Sequence, residues 1–432
     1  MSAPIPRDIP LPLPAPEWLL QLILVASFAA HILFVNLMVG GQLMTLVFQW
    51  MGLKDKKWDE VAHLVAKTVT VNKSIAVVLG VGPLLSLNVL YTTFIYSANA
   101  LTGTAWMLLV PLISAAFILT YLHKYTWEKL GDHKGVHIAI GGIATLLFLT
   151  IPLIFLTNAN LMLFPERWQE VKGFFSALML PNVFSRYFHF IGASLTATSL
   201  FLIGFLGRDK LSSDVFSTHP EFLFDVRKKL YGTCFVVTIA QFVVGPLVLF
   251  TLPSHGITFM MLSFLSVAVL LAACLLYLLY AEMKRKTPYL DNGYRIILVV
   301  FTAVVGLMVS VRHLYREQAL AAHKATQKEK TEAFLAESAA AIIDKSLAKD
   351  VPTGEVGKLA FETTCGGCHA IDKVLVGPTV GEIQKIYAGN RDGIVSWSKN
   401  PGKKRQGMAM PSMAHVPEDE LKAIADWILT VK

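Results

Sequence analysis

Charge is scarce in this chain of 432 residues. Asp, Glu, Lys and Arg together make 16% of it, against 54% hydrophobic residues, and the mean hydropathy is +0.55. That balance excludes a soluble globular domain and a disordered chain, and it places the sequence among membrane proteins. Cysteine is scarce too: there are four, too few and too scattered for a disulfide framework. Cys234 and Cys274 lie within apolar runs, where a thiol is expected to pack as a small hydrophobe. The opening stretch, MSAPIPRDIPLPLPAPEW, has no charged segment followed by a cleavable apolar core. It is therefore not read as a signal peptide but as an extended arm over residues 1–17. The net charge of +8 does not argue for nucleic acid, because Lys and Arg sit beside the apolar runs, as membrane topology requires.

What the chain has in abundance is long apolar runs. Eight of them reach the roughly 20 residues that cross a bilayer: 18–51, 74–97, 103–122, 136–162, 182–207, 231–252, 257–281 and 296–315. The expected fold class is all-α, an eight-transmembrane-helix bundle at 18–317 followed by a helical stalk at 318–350 and a small all-α domain at 351–432. Basic residues alternate between the connecting loops. Lys54, Lys56, Lys57, Lys67 and Lys73 follow the first run, Lys124, Lys129 and Lys134 the third, Arg208, Lys210, Arg227, Lys228 and Lys229 the fifth, and Lys284, Arg285, Lys286 and Arg295 the seventh, whereas the other loops are nearly bare. The basic loops are therefore expected in the cytoplasm, with both termini on the periplasmic face of a bacterial inner membrane.

The polar end of the chain carries the clearest motif. In TTCGGCHAID, Cys365, Cys368 and His369 form the C-x-x-C-H signal for covalent attachment of a c-type haem, with His369 as proximal iron ligand. Covalent haem is attached on the periplasmic side in bacteria, which agrees with the loop charges. The later segment GMAMPSMAHVPEDELKAIADWI offers Met408, Met410, Met413 and His415 as distal ligands. It resembles the distal loop and last helix of small bacterial class I cytochromes c. In that family the ligand Met precedes Pro, which here selects Met410, with Met413 next. The run at 399–405 is expected to be a solvated basic loop rather than a docking face.

Ionisable side chains inside a span are costly and usually functional. His31, His189 and His313 all fall toward the periplasmic half of the first, fifth and eighth runs, while His123 and His137 fall at the inner ends of the third and fourth and His63 in a cytoplasmic loop. Neutral imidazole is a standard haem ligand, and helix bundles hold b-type haem between facing helices. Arg186, Arg312 and Arg316 collect at the outer boundary, where guanidinium groups suit haem propionates.

AAHILFVNLMVGGQLM in the first run, FSRYFHFIGASLTATSLFLIG in the fifth and VRHLYREQ in the eighth resemble subunit I of the cytochrome bd family, over about residues 18 to 317. The resemblance implies His31 and His189 as haem ligands, Met261 or its neighbour Met260 as the ligand of the seventh helix, and His313 where the family carries a Glu, followed three residues on by the family's Arg, here Arg316. Two departures stand out. The third run, WMLLVPLISAAFILTYL, has none of the family's buried glutamates, and no run holds Asp or Glu in its interior. The family's long quinol-binding loop is replaced by TLPSHGI.

Motif and resemblance together imply a membrane-bound multihaem electron-transfer protein, with one covalent haem c and one or more non-covalent haem b. Electrons would pass between a quinol pool or partner subunit and a periplasmic carrier such as a cytochrome c. A bound quinone, a second membrane subunit or homo-oligomer, and surrounding lipid complete the expected partners. The rival expectations are a bd-family oxygen reductase fed through the c domain, and a membrane anchor that merely presents that domain.

Overall fold

The computed structural model describes residues 6–8, 13–206, 216, 218–285, 292–347, 353–402 and 410–431. All regular structure among them is helical. The chain divides into two compact units, 1–328 and 329–432, each taken by itself below.

The first unit is built on α1 (Glu17–Met51), α2 (Lys56–Leu90), α3 (Thr92–Thr102), α4 (Thr104–Met107), α5 (Leu109–Tyr125), α6 (Lys134–Leu161), α7 (Phe174–Leu178), α8 (Val183–Phe205), α9 (Pro220–Phe250), α10 (Phe259–Lys284) and the start of α11 (Asn292–Leu347). Among the described residues seven helices are long and apolar enough to cross a membrane, or eight if the bent α2 counts as one span. In hydrocarbon every backbone N–H and C=O must be satisfied within the chain, which a helix achieves locally. The unit is a membrane bundle whose outer faces stay apolar: Val110, Phe250, Phe259, Leu270 and Val299 are all exposed, as side chains that meet lipid tails are. Inside, one apolar cluster gathers Phe48, Trp58, Val65, Tyr231 and Leu279. A second gathers Leu24, Tyr91, Phe94, Trp168, Met261 and Tyr315.

The second span differs from the sequence reading at both of its ends. The second begins as a helix at Lys56, inside what reads as a basic loop, because Asp55 caps it by accepting from Lys57 N at 3.1 Å. It bends by 41° between Lys56–Thr70 and Ile75–Leu90. The apolar run 74–97 is not one helix: α2 ends at Tyr91, whose backbone leaves the helical region at φ −134°, ψ 36°. The buried Tyr91 hydroxyl donates to Glu317 on α11, so tertiary bonding sets this break. α11 runs as one helix from Asn292 to Leu347.

Cys234 is buried and its S–H points at the Thr196 carbonyl at 3.6 Å, while Cys274 is exposed among the apolar outer side chains. The second unit holds α12 (Thr353–Thr364), α13 (Val380–Tyr387), α14 (Arg391–Lys399) and α15 (Glu418–Thr430). Phe361, Val380, Ile394, Leu421 and Trp427 form its core. Gly357 lets α12 approach α15: a Cβ there would stand 2.2 Å from the Ala423 carbonyl oxygen.

Candidate functional site

In the small unit α12 ends at the C-x-x-C-H turn. Cys365 N and Gly366 N both donate to Phe361 O, at 2.7 and 2.8 Å, and His369 N donates to Cys365 O at 3.0 Å. A Cβ at Gly366 would meet the Glu362 carbonyl at 2.7 Å, so a side chain there would require this turn to shift. Burial first, then Glu420 and Cys368, push the Cys365 thiol up to about 11, which keeps it a neutral thiol. His369 Nδ1 lies 2.8 Å from the Pro378 carbonyl oxygen. A carbonyl only accepts, so Nδ1 carries the hydrogen and Nε2 keeps its lone pair, the state a metal-binding imidazole needs. Gly377 packs against the ring; a Cβ there would lie 2.3 Å from His369 Cε1. Ile371, Val374, Leu375, Val376 and Ile386 are exposed in the same small unit, apolar surface of the kind a haem macrocycle covers. The residues fit a covalent haem.

Met413 packs its side chain on the domain core and its amide donates to Ser398 O at 2.8 Å. Met410 is half-buried and is not part of that core, and His415 is exposed. Met408 and residues 403–405 of the basic run lie outside the described residues; Lys399, at its start, is paired with Glu418 at 2.7 Å.

Hydrogen bonding sorts the membrane histidines. His31 Nδ1 lies 2.8 Å from the Ala76 carbonyl oxygen, so it is the donor and Nε2 is free to bind a metal. Gly80 of α2 accepts the ring closely, with a virtual Cβ 2.9 Å from Cε1. His189 Nδ1 is buried beside the Gln241 side chain, and its backbone carbonyl accepts from Gln241 Nε2 at 2.8 Å. That approach of α9 needs Gly192, where a Cβ would clash with Gln241. The helices carrying these two histidines are bonded to each other: Ser194 Oγ donates to Asn36 Oδ1 at 3.0 Å and Thr198 Oγ1 to Asn36 O at 3.1 Å.

His313 differs. Arg316 Nη2 lies 3.0 Å from its Nδ1, and arginine only donates. The Nδ1 lone pair is therefore used and the hydrogen of the neutral ring sits on Nε2. Iron ligation by His313, expected from its position, meets an obstacle in this arrangement. The expected gathering of arginines is present: Arg312 is an electrostatic neighbour of both Arg186 and Arg316. Arg312 lies over the Phe28 ring at 4.0 Å and Arg316 over Tyr91 at 4.8 Å. No carboxylate pairs with any of the three among the described residues, and Arg316 Nε is buried without a partner. Arg312, His313 and Arg316 close the polar end of a small cavity lined by Leu24, Phe28 and Val309. An uncompensated cation cluster at a cavity fits an anionic group such as a haem propionate. On α10 the two methionines separate cleanly: Met261 is 2% exposed and faces the bundle interior, Met260 is 56% exposed and faces outward.

Sequence reading passed over a further group near this end of α11. His323 Nε2 lies 3.5 Å from Glu166 Oε2, and the His255 ring is 6.5 Å from that of His323. Burial pushes the Glu166 carboxyl up, but the hydrogen bond from His323, a backbone hydrogen bond and the charges of His323 and His255 together outweigh it, so the group is held below its ordinary range. Residues so far apart in sequence give no signal of meeting.

Comparison with known proteins agrees with this division. The cytochrome c family model matches residues 355–432. A cytochrome c-551 of Pseudomonas denitrificans is 37% identical over 84 residues, 18% of this chain and 99% of that protein. A cytochrome c-551 of Azotobacter vinelandii is 37% identical over 82 residues, 18% of this chain and all of that protein. A cytochrome c-552 of Nitrosomonas europaea is 33% identical over 81 residues, 17% of this chain and 76% of that protein. For the remainder, the structure of a bd oxidase from Geobacillus thermodenitrificans superposes with a TM-score of 0.56 at 12% identity, over 70% of this chain and 87% of that one. The membrane unit therefore shares that fold.

Proposed function

We propose, on the premise that this chain belongs to the cytochrome c family through residues 355–432, that it is a membrane electron-transfer cytochrome exchanging electrons between non-covalent b-type haem in the bundle and the covalent c-type haem. When bound, the haems supply one-electron redox chemistry at iron. The observation that carries the reading is the shared bonding of two histidines. His31 and His369 each give Nδ1–H to a backbone carbonyl and keep Nε2 as a ligand. His189, with its ring nitrogen buried beside Gln241, is the second ligand of the bundle, and the inward-facing Met261 is the further candidate. Arg186, Arg312 and Arg316 neutralise carboxylates, with His313 as a donor beside them. Met410 is the distal ligand of the c-type site, since Met413 is occupied in the core.

His31 and His189 are half-buried in the bundle, and the exposed apolar side chains of the small unit would leave a haem edge accessible to a carrier. The loop charges support placing the c domain and the arginine cluster on the periplasmic side.

Purified protein is assayed for haem type by the pyridine haemochrome method. The reading expects extractable b haem beside covalent c haem. It expects His189→Ala and His31→Ala to lower the b content and leave the c content unchanged. Covalent haem alone overturns it in favour of a membrane anchor. Oxygen uptake with reduced cytochrome c would extend it to oxygen reduction, a reading favoured by the bd oxidase fold.

A further inference from the structure

At the C-terminal end of α1 the polar side chains of the bundle close on one another. His123 Nε2–H donates to Gln49 Oε1 at 2.9 Å, and Gln49 Nε2 donates to His137 Nδ1. Beside them Trp127 stacks on His63, which belongs to α2 and not, as its sequence setting suggested, to a loop. The arginines of α11 are held differently. Arg312 and Arg316 line the small cavity with His313, and among the described residues neither is paired with a carboxylate. Each lies on an aromatic face instead: Arg312 on Phe28, 4.0 Å from the ring centre, and Arg316 on Tyr91, at 4.8 Å. Within about 6 Å a ring face attracts a cation through its quadrupole. The ring has no net charge, so it holds the cation without neutralising it. A guanidinium does not lose its proton in proteins. Both arginines therefore present a full positive charge at the cavity.

A carboxylate is nevertheless next in sequence. Glu317 follows Arg316, yet both of its oxygens are engaged elsewhere: Tyr91 OH donates to Oε1, and Lys324 Nζ donates to Oε2 at 3.0 Å. Lys324 also lies over the Tyr91 ring, 4.5 Å from its centre. One buried tyrosine thus meets three charged groups, two cations at its ring and one anion at its hydroxyl. The ring reaches this place because the helix breaks there. Tyr91 N closes α2 by donating to Leu87 O at 3.0 Å, and Tyr91 O opens α3 by accepting from Ile95 N at 3.0 Å. Thr92 Oγ1 covers the end of α2 by donating to Asn88 O at 2.7 Å. Thr93 Oγ1 accepts from Gln327 Nε2 at 2.6 Å, a second tie to α11. Glu317 and Gln327 are about 15 Å apart in helix rise, so α11 is fixed against the break at two levels. Apolar packing calls for a ring at position 91, but for neither its hydroxyl nor the carboxylate that the hydroxyl meets.

We propose that Tyr91 is a positioning residue of the anion site: its ring holds Arg316 at the cavity while its hydroxyl, together with Lys324, keeps Glu317 away from that arginine. The inference rests on the b-haem reading above and deepens it, the anion being the carboxylate of a haem propionate. A carboxylate of the chain itself on Arg316 would compete with that ligand. With Glu317 bonded to Tyr91 and Lys324, the charge of Arg316 is left for the propionate. The two rings differ accordingly. Phe28 suffices under Arg312, because no acidic residue lies within four positions of Arg312 on α11. Arg316 adjoins Glu317, and the ring beneath it carries the hydroxyl that occupies this neighbour. Positive charge near a haem favours the reduced iron, which carries one positive charge fewer. The placement of Arg316 therefore raises the midpoint potential of the haem it serves.

The test is a redox titration of purified holoprotein read at the b-haem bands, beside the rate at which b haem transfers to apomyoglobin. Tyr91→Phe keeps the ring and releases one oxygen of Glu317 toward Arg316. It should lower a b-haem midpoint potential and speed haem transfer at least threefold, with the c-haem potential unchanged. In a Glu317→Gln background there is no carboxylate to release, so the same Tyr91→Phe change should shift neither reading. A hydroxyl that only packs would act alike in both backgrounds. Equal shifts in the two backgrounds, or parental values in Tyr91→Phe, overturn the proposal. Should Tyr91→Phe lose its b haem outright, recovery in Tyr91→Phe/Glu317→Gln supports the proposal and loss in both overturns it. Parent protein without b haem overturns the b-haem reading and this inference together. Parent protein with b haem, and a Tyr91→Phe change without effect, overturns this inference alone.

Discussion

Gly40 is the tightest point between the helices that carry His31 and His189, and Gly40→Ala tests that joint. A Cβ at this position would stand 2.3 Å from both the Ser194 carbonyl oxygen and Thr198 Oγ1, where ordinary contact begins at 3.4 Å. One neighbour is backbone, so α1 and α8 must separate by about 1 Å. The Ser194 and Thr198 bonds to Asn36, at 3.0 and 3.1 Å, stretch out of hydrogen-bond range together. Overpacking costs about 1 to 3 kcal/mol, and two lost hydrogen bonds about 0.5 to 1.5 kcal/mol each. The joint therefore weakens by about 2 to 6 kcal/mol. The b-haem content should fall below the parental value and the thermal midpoint of the bundle should drop, with the c-haem content unchanged. Gly142→Ala is the control, because nothing lies within 4 Å of its virtual Cβ. Parental b-haem content and midpoint in Gly40→Ala would refute the argument that this contact positions the two histidines.

Three further outcomes are expected. Gly377→Ala drives a methyl group into His369 Cε1 and should displace the ring from Pro378 O, giving a covalent haem whose spectrum has lost its axial imidazole; a parental spectrum counts against the packing argument. Asn182 holds φ 76° while its amide donates to Val248 O at 2.7 Å and to Thr251 Oγ1 at 2.8 Å. Asn182→Ala should destabilise the bundle by about 2 to 4 kcal/mol through strain and two lost bonds, and Asn182→Gly by less, both read from thermal unfolding. Glu418 is held down to about 2 by hydrogen bonds from Lys399 and Lys422. Since the folded value lies below the ordinary one of 4.5, its contribution is complete above pH 4.5 and lost as pH falls toward 2. Hydrogen exchange of the α15 amides should accelerate across that window, and Glu418→Gln should flatten the change.

The features legible in the sequence were those set by local pattern. CGGCH fixed a covalent site because the spacing alone brings thiols and imidazole together, and apolar length alone marked the membrane helices. The break at Tyr91 was not legible, because it depends on Glu317, 226 residues away. His313 and His31 look alike in an apolar run, yet the neighbour that fixes the tautomer is an arginine on the same helix in one case and a carbonyl of another helix in the other. The choice between Met260 and Met261 needed helix register, which residue type does not supply. The His123–Gln49–His137 cluster joins three helices, so no one segment announces it.

The bond between Asn36 and Ser194 spans 158 residues of chain. In a polypeptide inserted from its N-terminus, α1 enters the bilayer long before α8 is made. Until then the Asn36 amide and the flat surface at Gly40 face lipid or a chaperone without their partner. Closure of this joint is thus a late event in biosynthesis, and on the proposed reading a haem held by His31 and His189 would be loaded only after α8 has been inserted. Truncated chains ending before residue 183 should accumulate as membrane-inserted but cofactor-free intermediates.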